Sequence, residues 1–272
     1  MSDVSIYVVG HKPFVLPQNQ ERIYKPIFVG SGKQDAKEKG YLVDDDGDNI
    51  SSKNSTFCEL TAYYWVWKND KKSDVIGLCH YRRYFAEDGR MLSAASIDRY
   101  LNTEEIAMIV PMKTTWRADS VLEAYLRGAG YQKDLFYVEW AIRKLHPEYL
   151  KAFHQVLNSR SAHYRNMLIT RRDVFDEYCC WLFSILFEIE RYIDLEAYNV
   201  TEKRVFGFLS EILLNVYLVA KDLKVVEVPT SSFNVEPFNT VVKQEVTRKI
   251  KAIAKRMIWF PTGINQKKWR IC

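Results

Sequence analysis

Long apolar runs are missing from this 272-residue chain: no window reaches 18 uninterrupted apolar residues, so no segment reads as a membrane-spanning helix. The opening "MSDVSIYVVGHKPF" lacks the basic start and extended apolar stretch of a secretory signal, and the expectation is a cytoplasmic chain. Cysteine is sparse. The five residues Cys58, Cys79, Cys179, Cys180 and Cys272 form no CxxC and sit mostly in apolar segments, which reads as reduced, buried thiols and excludes a disulfide framework. Histidine supplies neither an HExxH nor an i, i+4 pair, which excludes the usual helical zinc sites. GxGxxG, GxxxxGK[ST] and GxSxG are absent too, removing dinucleotide enzymes, P-loop enzymes and nucleophile-elbow hydrolases. Cys179-Cys180 has no adjacent cation to make a thiolate nucleophile. The acidic "DDDGDNISSKN" (44–54) fails the calcium-loop pattern, with Asn49 at the sixth position and Ser55 at the twelfth.

What is present is apolar and aromatic: 47% hydrophobic residues and 14% aromatics suffice for a sizeable core. The net charge of +5 is uneven, because residues 241–272 hold nine Lys or Arg against one Glu while residues 1–240 hold 30 basic and 33 acidic side chains. A basic tail on a slightly acidic body gives no sign of nucleic-acid binding. "VSIYVVG" (4–10), "IFVGSG" (27–32), "SDVIGLC" (73–79), "IAMIVP" (106–111), "YRNMLIT" (164–170) and "KVVEVP" (224–229) read as strands. Residues 55–69, with Ser55 as N-cap, and 94–102, 133–145, 146–158, 173–193, with Asp173 as N-cap, and 204–223 read as helices. Residues 33–54 read as a long polar loop. The alternation predicts an α/β layer fold with a mainly parallel sheet, one domain over 1–239 and a tail over 240–272.

Ligands of open α/β sheets sit beyond the carboxyl ends of the strands. Three such ends carry polar groups here: His11-Lys12, the block His80-Tyr81-Arg82-Arg83-Tyr84, and the exit of "NMLIT". The second is the sharpest signal, since an apolar strand stops where the cations begin. Planar guanidinium forks suit phosphate oxygens, and tyrosines add hydroxyls or stacking faces. The alternative is a surface loop whose arginines pair with Glu87 or Asp88. Asp44 and Asp45 read as an acidic surface turn. Asp48, Asn49, Ser51, Lys53 and Asn54 read as a recognition loop, and a divalent ion (Mn or Mg) held by two of the loop's carboxylates stays open. Glu59 and Glu211 interrupt apolar helical stretches, where desolvation raises a carboxyl towards the range of a general base; a structural pair with Arg204 is the alternative. In the tail, Val246, Ile250, Ile253 and Met257 share one helical face opposite Arg248, Lys251 and Lys255, followed by Trp259 and Phe260. That pattern suits a helix lying on an anionic membrane surface.

The strings "HKP", "PIFVG", "GDNIS", "IGLCHYRRYF", "HYRNMLI", "FDEYCCWLF", "ERYID" and "RVFGFLSEILLN" resemble a family of bacterial capsular, exopolysaccharide and O-antigen glycosyltransferases. That family was long catalogued as a domain of unknown function and later linked to galactofuranosyl transfer. The resemblance covers most of residues 5–230 and departs between Met112 and Lys133, a stretch expected to face the acceptor. It implies a GT-A-like nucleotide-binding fold with a helical acceptor half, an inverting reaction, and a donor that is a nucleotide sugar, UDP-linked as first expectation. A glycan or lipid-linked acceptor would be met at the inner face of the cell membrane. Where that fold commonly carries a metal-binding Asp-x-Asp, this chain has His80-Tyr81-Arg82. Under this reading Glu211 is the base with Asp134 as second choice, and His163 and Asn166 meet the acceptor. His11, Lys12, Asp48, Asn49, Ser51, Lys53, Asn54, His80, Tyr81, Arg82 and Arg83 hold the donor. The rival reading is a non-catalytic membrane-associated module that binds an anionic ligand.

Overall fold

The computed structural model describes residues 2–12, 14–17, 22–30, 33–103, 105–128 and 130–233. The expected tail helix and Cys272 lie outside the described residues. A seven-stranded sheet organises the rest. Its strands are β1 (Val4–Gly10), β2 (Tyr24–Phe28), β3 (Leu42–Val43), β4 (Val75–His80), β7 (Ile106–Pro111), β10 (Leu168–Arg171) and β11 (Lys224–Val228), in the order β11-β7-β10-β4-β1-β2-β3. Pairing is parallel for β1 with β2 and β4, β2 with β3, and β7 with β11. Only β10 runs antiparallel to its neighbours, with Leu168 opposite Leu78 and Arg171 opposite Val75. The sheet is therefore mixed and mainly parallel, as expected, but the exit of "NMLIT" points to the wrong edge. It is the lead-in to β10 that joins the carboxyl ends of β1 and β4.

Alternation with period two splits each strand between two cores. Tyr7, Val9, Ile76, Leu78, Met108, Val110 and Leu168 face a thick helical layer. That layer contains α2 (Asn54–Phe57), α3 (Leu60–Asn69), α5 (Val121–Arg127), α6 (Gln132–Leu145), α7 (Leu150–Asn158), α8 (Arg172–Glu190) and α9 (Val205–Ala220). Val4, Ile6, Val8, Val75, Cys79, Ile109 and Ile169 face α4 (Ala94–Leu101) and the strands β5 (Tyr84–Glu87) and β6 (Arg90–Met91), with β12 (Thr230–Ser231) pairing on β5. Glycine at the centre of β4 lets the Ile6 and Ile169 side chains close over the strand, since a Cβ at Gly77 would lie 2.4 Å from Ile6 Cδ1 and 2.9 Å from Ile169 Cγ1 and force them to shift. The remaining pair, β8 (Thr114–Thr115) and β9 (Ser161–Ala162), forms a small antiparallel ribbon.

Several local expectations change. The helix expected over 55–69 breaks at Cys58, whose φ of 53° closes α2 before α3 begins, so Ser55 is no N-cap. The polar stretch 33–54 contains α1 (Lys33–Glu38) and β3, pinned by a Lys33–Asp44 ion pair at 2.8 Å with Asp44 fully buried. Asp44 is thus no surface turn. The longest helix starts at Arg172 without a side-chain cap, so Asp173 is not its N-cap. Cys58 is half-buried and Cys180 exposed, which corrects the expectation of uniformly buried thiols.

Candidate active site

At the carboxyl edge of the sheet, β1 delivers His11 and Lys12, and β4 delivers the cationic block. His80 and Arg83 close a tight turn through two backbone bonds of 3.1 and 2.9 Å, which pushes Arg82 and Arg83 into solvent. Tyr81 stays buried, tied to β1 by its N–H on the Val9 carbonyl at 3.0 Å. Its ring meets His11 edge-on at 5.6 Å and carries the Arg82 guanidinium at 4.9 Å. His11 lies below the usual imidazole value, first by desolvation, then by the charges of Lys12, Arg204 and Arg82; Glu59 opposes them. Those groups converge from four segments of the chain. Glu87, the alternative partner for the block, is taken by Arg99 at 2.7 Å and Tyr100 at 2.5 Å.

The centre of the site is the lead-in to β10. Arg165 and Asn166 adopt φ of 84° and 45°, conformations that cost non-glycine residues of order 1–3 kcal/mol each. Each is held from several sides. Arg165 N–H donates to Glu211 Oε1 at 2.7 Å, and its guanidinium donates to Thr230 Oγ1 at 2.6 Å. The Arg165 carbonyl accepts from His80 Nε2, which fixes that imidazole's tautomer. Asn166 Nδ2 donates to Glu59 Oε1 at 2.7 Å and to the Gly207 carbonyl at 3.0 Å. Its backbone carbonyl accepts from the Tyr63 hydroxyl at 2.7 Å. Gly207 allows α9 to approach the break at Cys58, since a Cβ there would lie 3.2 Å from Cys58 Sγ.

Two carboxylates thus flank one strained dipeptide. Glu211 is pushed up to about 8, chiefly by burial and then by the charge of Glu59, against pulls from the Arg165 N–H and the charges of Arg204 and Arg165. Arg204 Nε reaches Cys58 Sγ at 3.3 Å, and the charges of Glu59 and Glu211 strengthen its hold on its proton. Chemically the arrangement offers a near-neutral proton acceptor beneath a rim of fixed positive charge. A cavity of about 270 Å³ at the opposite sheet edge, lined by Val4, Val75, Ile97, Leu101 and Arg171 among others, has no comparable chemistry. Its guanidinium is already spent on the Leu101 and Ile106 carbonyls at 3.3 and 2.9 Å.

Of the residues expected from sequence, His11, Lys12, His80, Tyr81, Arg82, Arg83 and Glu211 come together. Asn54 donates its Nδ2 to the Cys58 carbonyl at 2.8 Å and to Thr61 Oγ1 at 3.2 Å. The other loop residues serve the fold. Lys53 pairs with Glu190 at 2.5 Å, Ser51 donates to Asp44 at 3.0 Å, Asn49 Nδ2 bonds the Gly47 carbonyl at 2.9 Å, and Asp48 accepts from Tyr64 at 3.2 Å. Asp134 is fully buried, accepting from the Tyr125 hydroxyl and Tyr131 N–H at 2.8 Å each and from the Tyr198 hydroxyl. Every approach to it is filled by protein. His163 is 2% exposed, with Nδ1 on the Pro111 carbonyl at 2.6 Å and its backbone clamped by Asn215. His163 and Asn166 therefore support the site from beneath instead of facing a ligand. Sequence reading missed Arg165, whose place depends on the direction of β10, and treated Arg204 only as a structural partner.

The position where the resemblance implies Asp-x-Asp holds cationic side chains, and among the described residues no three His, Cys, Asp or Glu side chains converge to hold a metal. At His80-Tyr81-Arg82 the chain brings positive charge where an Asp-x-Asp would bring carboxylates. Residues 5–222 match the model of the family described as a domain of unknown function, DUF4422. The chain belongs to this family. It is also similar to the solved apo structure of WbbM, a bifunctional glycosyltransferase, with 33% identity and a TM-score of 0.74 over 88% of this chain and 47% of that one. The chain thus spans about half the length of that relative. No curated protein matches. No helix among the described residues is long and apolar enough to cross a membrane.

Proposed function

We propose that this chain is a glycosyltransferase that moves a sugar from a nucleotide-sugar donor, UDP-linked and in the first instance galactofuranosyl, to a glycan or lipid-linked acceptor of bacterial surface polysaccharide. The observation that carries the reading is the place of Glu211, bonded to Arg165 N–H at 2.7 Å at the carboxyl edge of the sheet that also carries the exposed Arg82 and Arg83; burial and the charge of Glu59 push it up to about 8. Kinship to a bifunctional glycosyltransferase supports it. In the reaction the Glu211 carboxylate takes the acceptor hydroxyl proton as that oxygen bonds the anomeric carbon from the face opposite the leaving group. The bond from the anomeric carbon to the diphosphate oxygen breaks, and its electron pair leaves with the nucleoside diphosphate. Arg82, Arg83, Lys12 and His11 meet the departing charge, with Arg165 and Arg204 deeper in the site.

A panel of UDP-hexoses in pyranose and furanose forms tests the reading. One should bind and be hydrolysed or transferred, with Glu211→Gln lowering turnover about a hundredfold or more while leaving donor binding intact. If no sugar nucleotide binds, the reading fails. The basic residues of 241–272 would hold the catalytic domain (1–239) peripherally on an anionic membrane, at about 1 kcal/mol per basic residue near the surface. Liposome flotation of the whole chain should weaken with salt. A chain ending at Phe238 should stay folded and not float, and equal flotation of both forms would remove the anchor.

A further inference from the structure

Next to the strained Arg165, whose N–H bonds Glu211, lies a pair of aromatic rings that the chemistry above leaves unused. Tyr164 directly precedes the strained Arg165, and its orientation is set on both sides. His163 is clamped to Asn215, one turn of α9 beyond Glu211, through backbone bonds of 2.8 Å each. Arg165 N–H is bonded to Glu211 itself. The Tyr164 phenol is held above its usual range, first by burial and then by the charge of Glu211. Its hydroxyl makes no hydrogen bond to a described residue. Trp116 meets the Tyr164 ring edge-on at 5.1 Å and remains half-exposed. The indole is delivered by the ribbon of β8 and β9, with its backbone N–H on the Arg160 carbonyl at 2.9 Å. Around it Thr114, Thr115, Arg117 and Arg160 are exposed.

A sugar ring has one face of polarised C–H bonds and an edge of hydroxyls. The face packs on the electron-rich face of an aromatic ring, and the hydroxyls require donors and acceptors at the rim. We propose that Trp116 and Tyr164 form the acceptor subsite, in which the receiving saccharide ring packs on the indole and directs a hydroxyl towards the Tyr164 phenol and Glu211. This deepens the transferase reading and rests on Glu211 as its base. The strained backbone at Arg165 then has a second use: it sets the phenol and the carboxylate on the same side of one sugar. Trp116 is a specificity residue here, because its ring selects a sugar by the C–H face it presents.

The test separates binding from turnover. Methyl glycosides of galactose, glucose, mannose and N-acetylglucosamine are titrated against the full chain in the presence of UDP, with saturation-transfer NMR as the readout. At least one glycoside should bind with its ring protons in contact with protein. Trp116→Ala should weaken that binding tenfold or more, Trp116→Phe should keep it within about threefold, and UDP affinity by calorimetry should be unchanged in both. Binding that survives Trp116→Ala, or absence of binding by every glycoside, overturns the subsite. If glycosides bind through Trp116 but no sugar nucleotide binds, the transferase reading falls and the saccharide site stands. If donor hydrolysis proceeds and Trp116→Ala changes no glycoside affinity, the opposite holds.

Discussion

Glu59→Gln should move the alkaline-rising limb of the pH–rate profile to lower pH, and the size of the move follows from the geometry. Glu211 sits at about 8, with the charge of Glu59 the largest upward push after burial. The two carboxylates bond adjacent residues, Glu211 to Arg165 N–H and Glu59 to Asn166 Nδ2, each at 2.7 Å. Covalent geometry limits those two nitrogens to a separation of about 8 Å, so the bonded oxygens lie at most about 14 Å apart. At an effective dielectric of 20, unit charges at that limit repel by about 1.2 kcal/mol. One pKa unit corresponds to about 1.36 kcal/mol, so loss of the Glu59 charge lowers Glu211 by about 0.9 unit or more. The carboxylate is the working form of the base, so rate rises with pH through its pKa. The parent limb near 8 should therefore shift to about 7 or below in the variant. Glutamine keeps an oxygen for Asn166 Nδ2, which preserves the support under Arg165. Initial rates across about pH 5.5–9.5 give the profile, and the position of the limb is read independently of its height. A limb that stays in place, or moves to higher pH, would refute the coupling of the two carboxylates or the role of Glu211.

The site should also be a stability liability. Glu211 has a folded pKa raised above its ordinary 4.5, so its stabilising contribution is full below that value and lost as pH climbs through about 8. Glu211→Gln should therefore raise the melting temperature more at pH 9 than at pH 5, by the equivalent of a few kcal/mol, and a gap independent of pH would contradict the assignment. Arg82→Ala should weaken nucleotide-sugar affinity by roughly 1.5–3 kcal/mol, the range for a hydrogen bond to a charged group; unchanged calorimetric affinity in a folded variant would remove the phosphate clamp. Asp134→Ala leaves two buried tyrosine hydroxyls unpaired and should cost about 2–4 kcal/mol in urea unfolding. Intact stability with a hundredfold loss of turnover would make Asp134 the base after all.

The strands that could be read from sequence are those buried on both faces. Val4–Gly10, Val75–His80 and Ile106–Pro111 stand out as apolar runs because helices or small sheets cover each side of the seven-stranded sheet. Strand direction leaves no such trace. The four residues Leu168–Arg171 have the same composition whichever way they run, and only pairing with Leu78 and Ile109 makes β10 antiparallel. That reversal decides which end of "HYRNMLIT" meets the ligand edge. The polar loop was illegible for a different reason. Lys33, Asp44 and Ser51 look like solvated residues one at a time, and they become interior only when the Lys33–Asp44 pair and the Ser51–Asp44 bond form together.

Glu211 was legible because a carboxylate within an apolar helix is costly unless it is paired or used. Its setting was not, because the backbone that holds it breaks a local rule without the usual marker. Left-handed conformations normally announce themselves as glycine, whereas here Cys58, Arg165 and Asn166 adopt φ of 53°, 84° and 45°. All three touch the carboxylate pair or its supports: Cys58 receives Arg204 Nε, Arg165 N–H meets Glu211, and Asn166 meets Glu59. Glycine would relieve the strain but would remove the guanidinium and the amide that these positions supply. The strain and the charge are two aspects of one constraint, since the side chains needed at the site must occupy backbone positions that only the surrounding hydrogen bonds can hold.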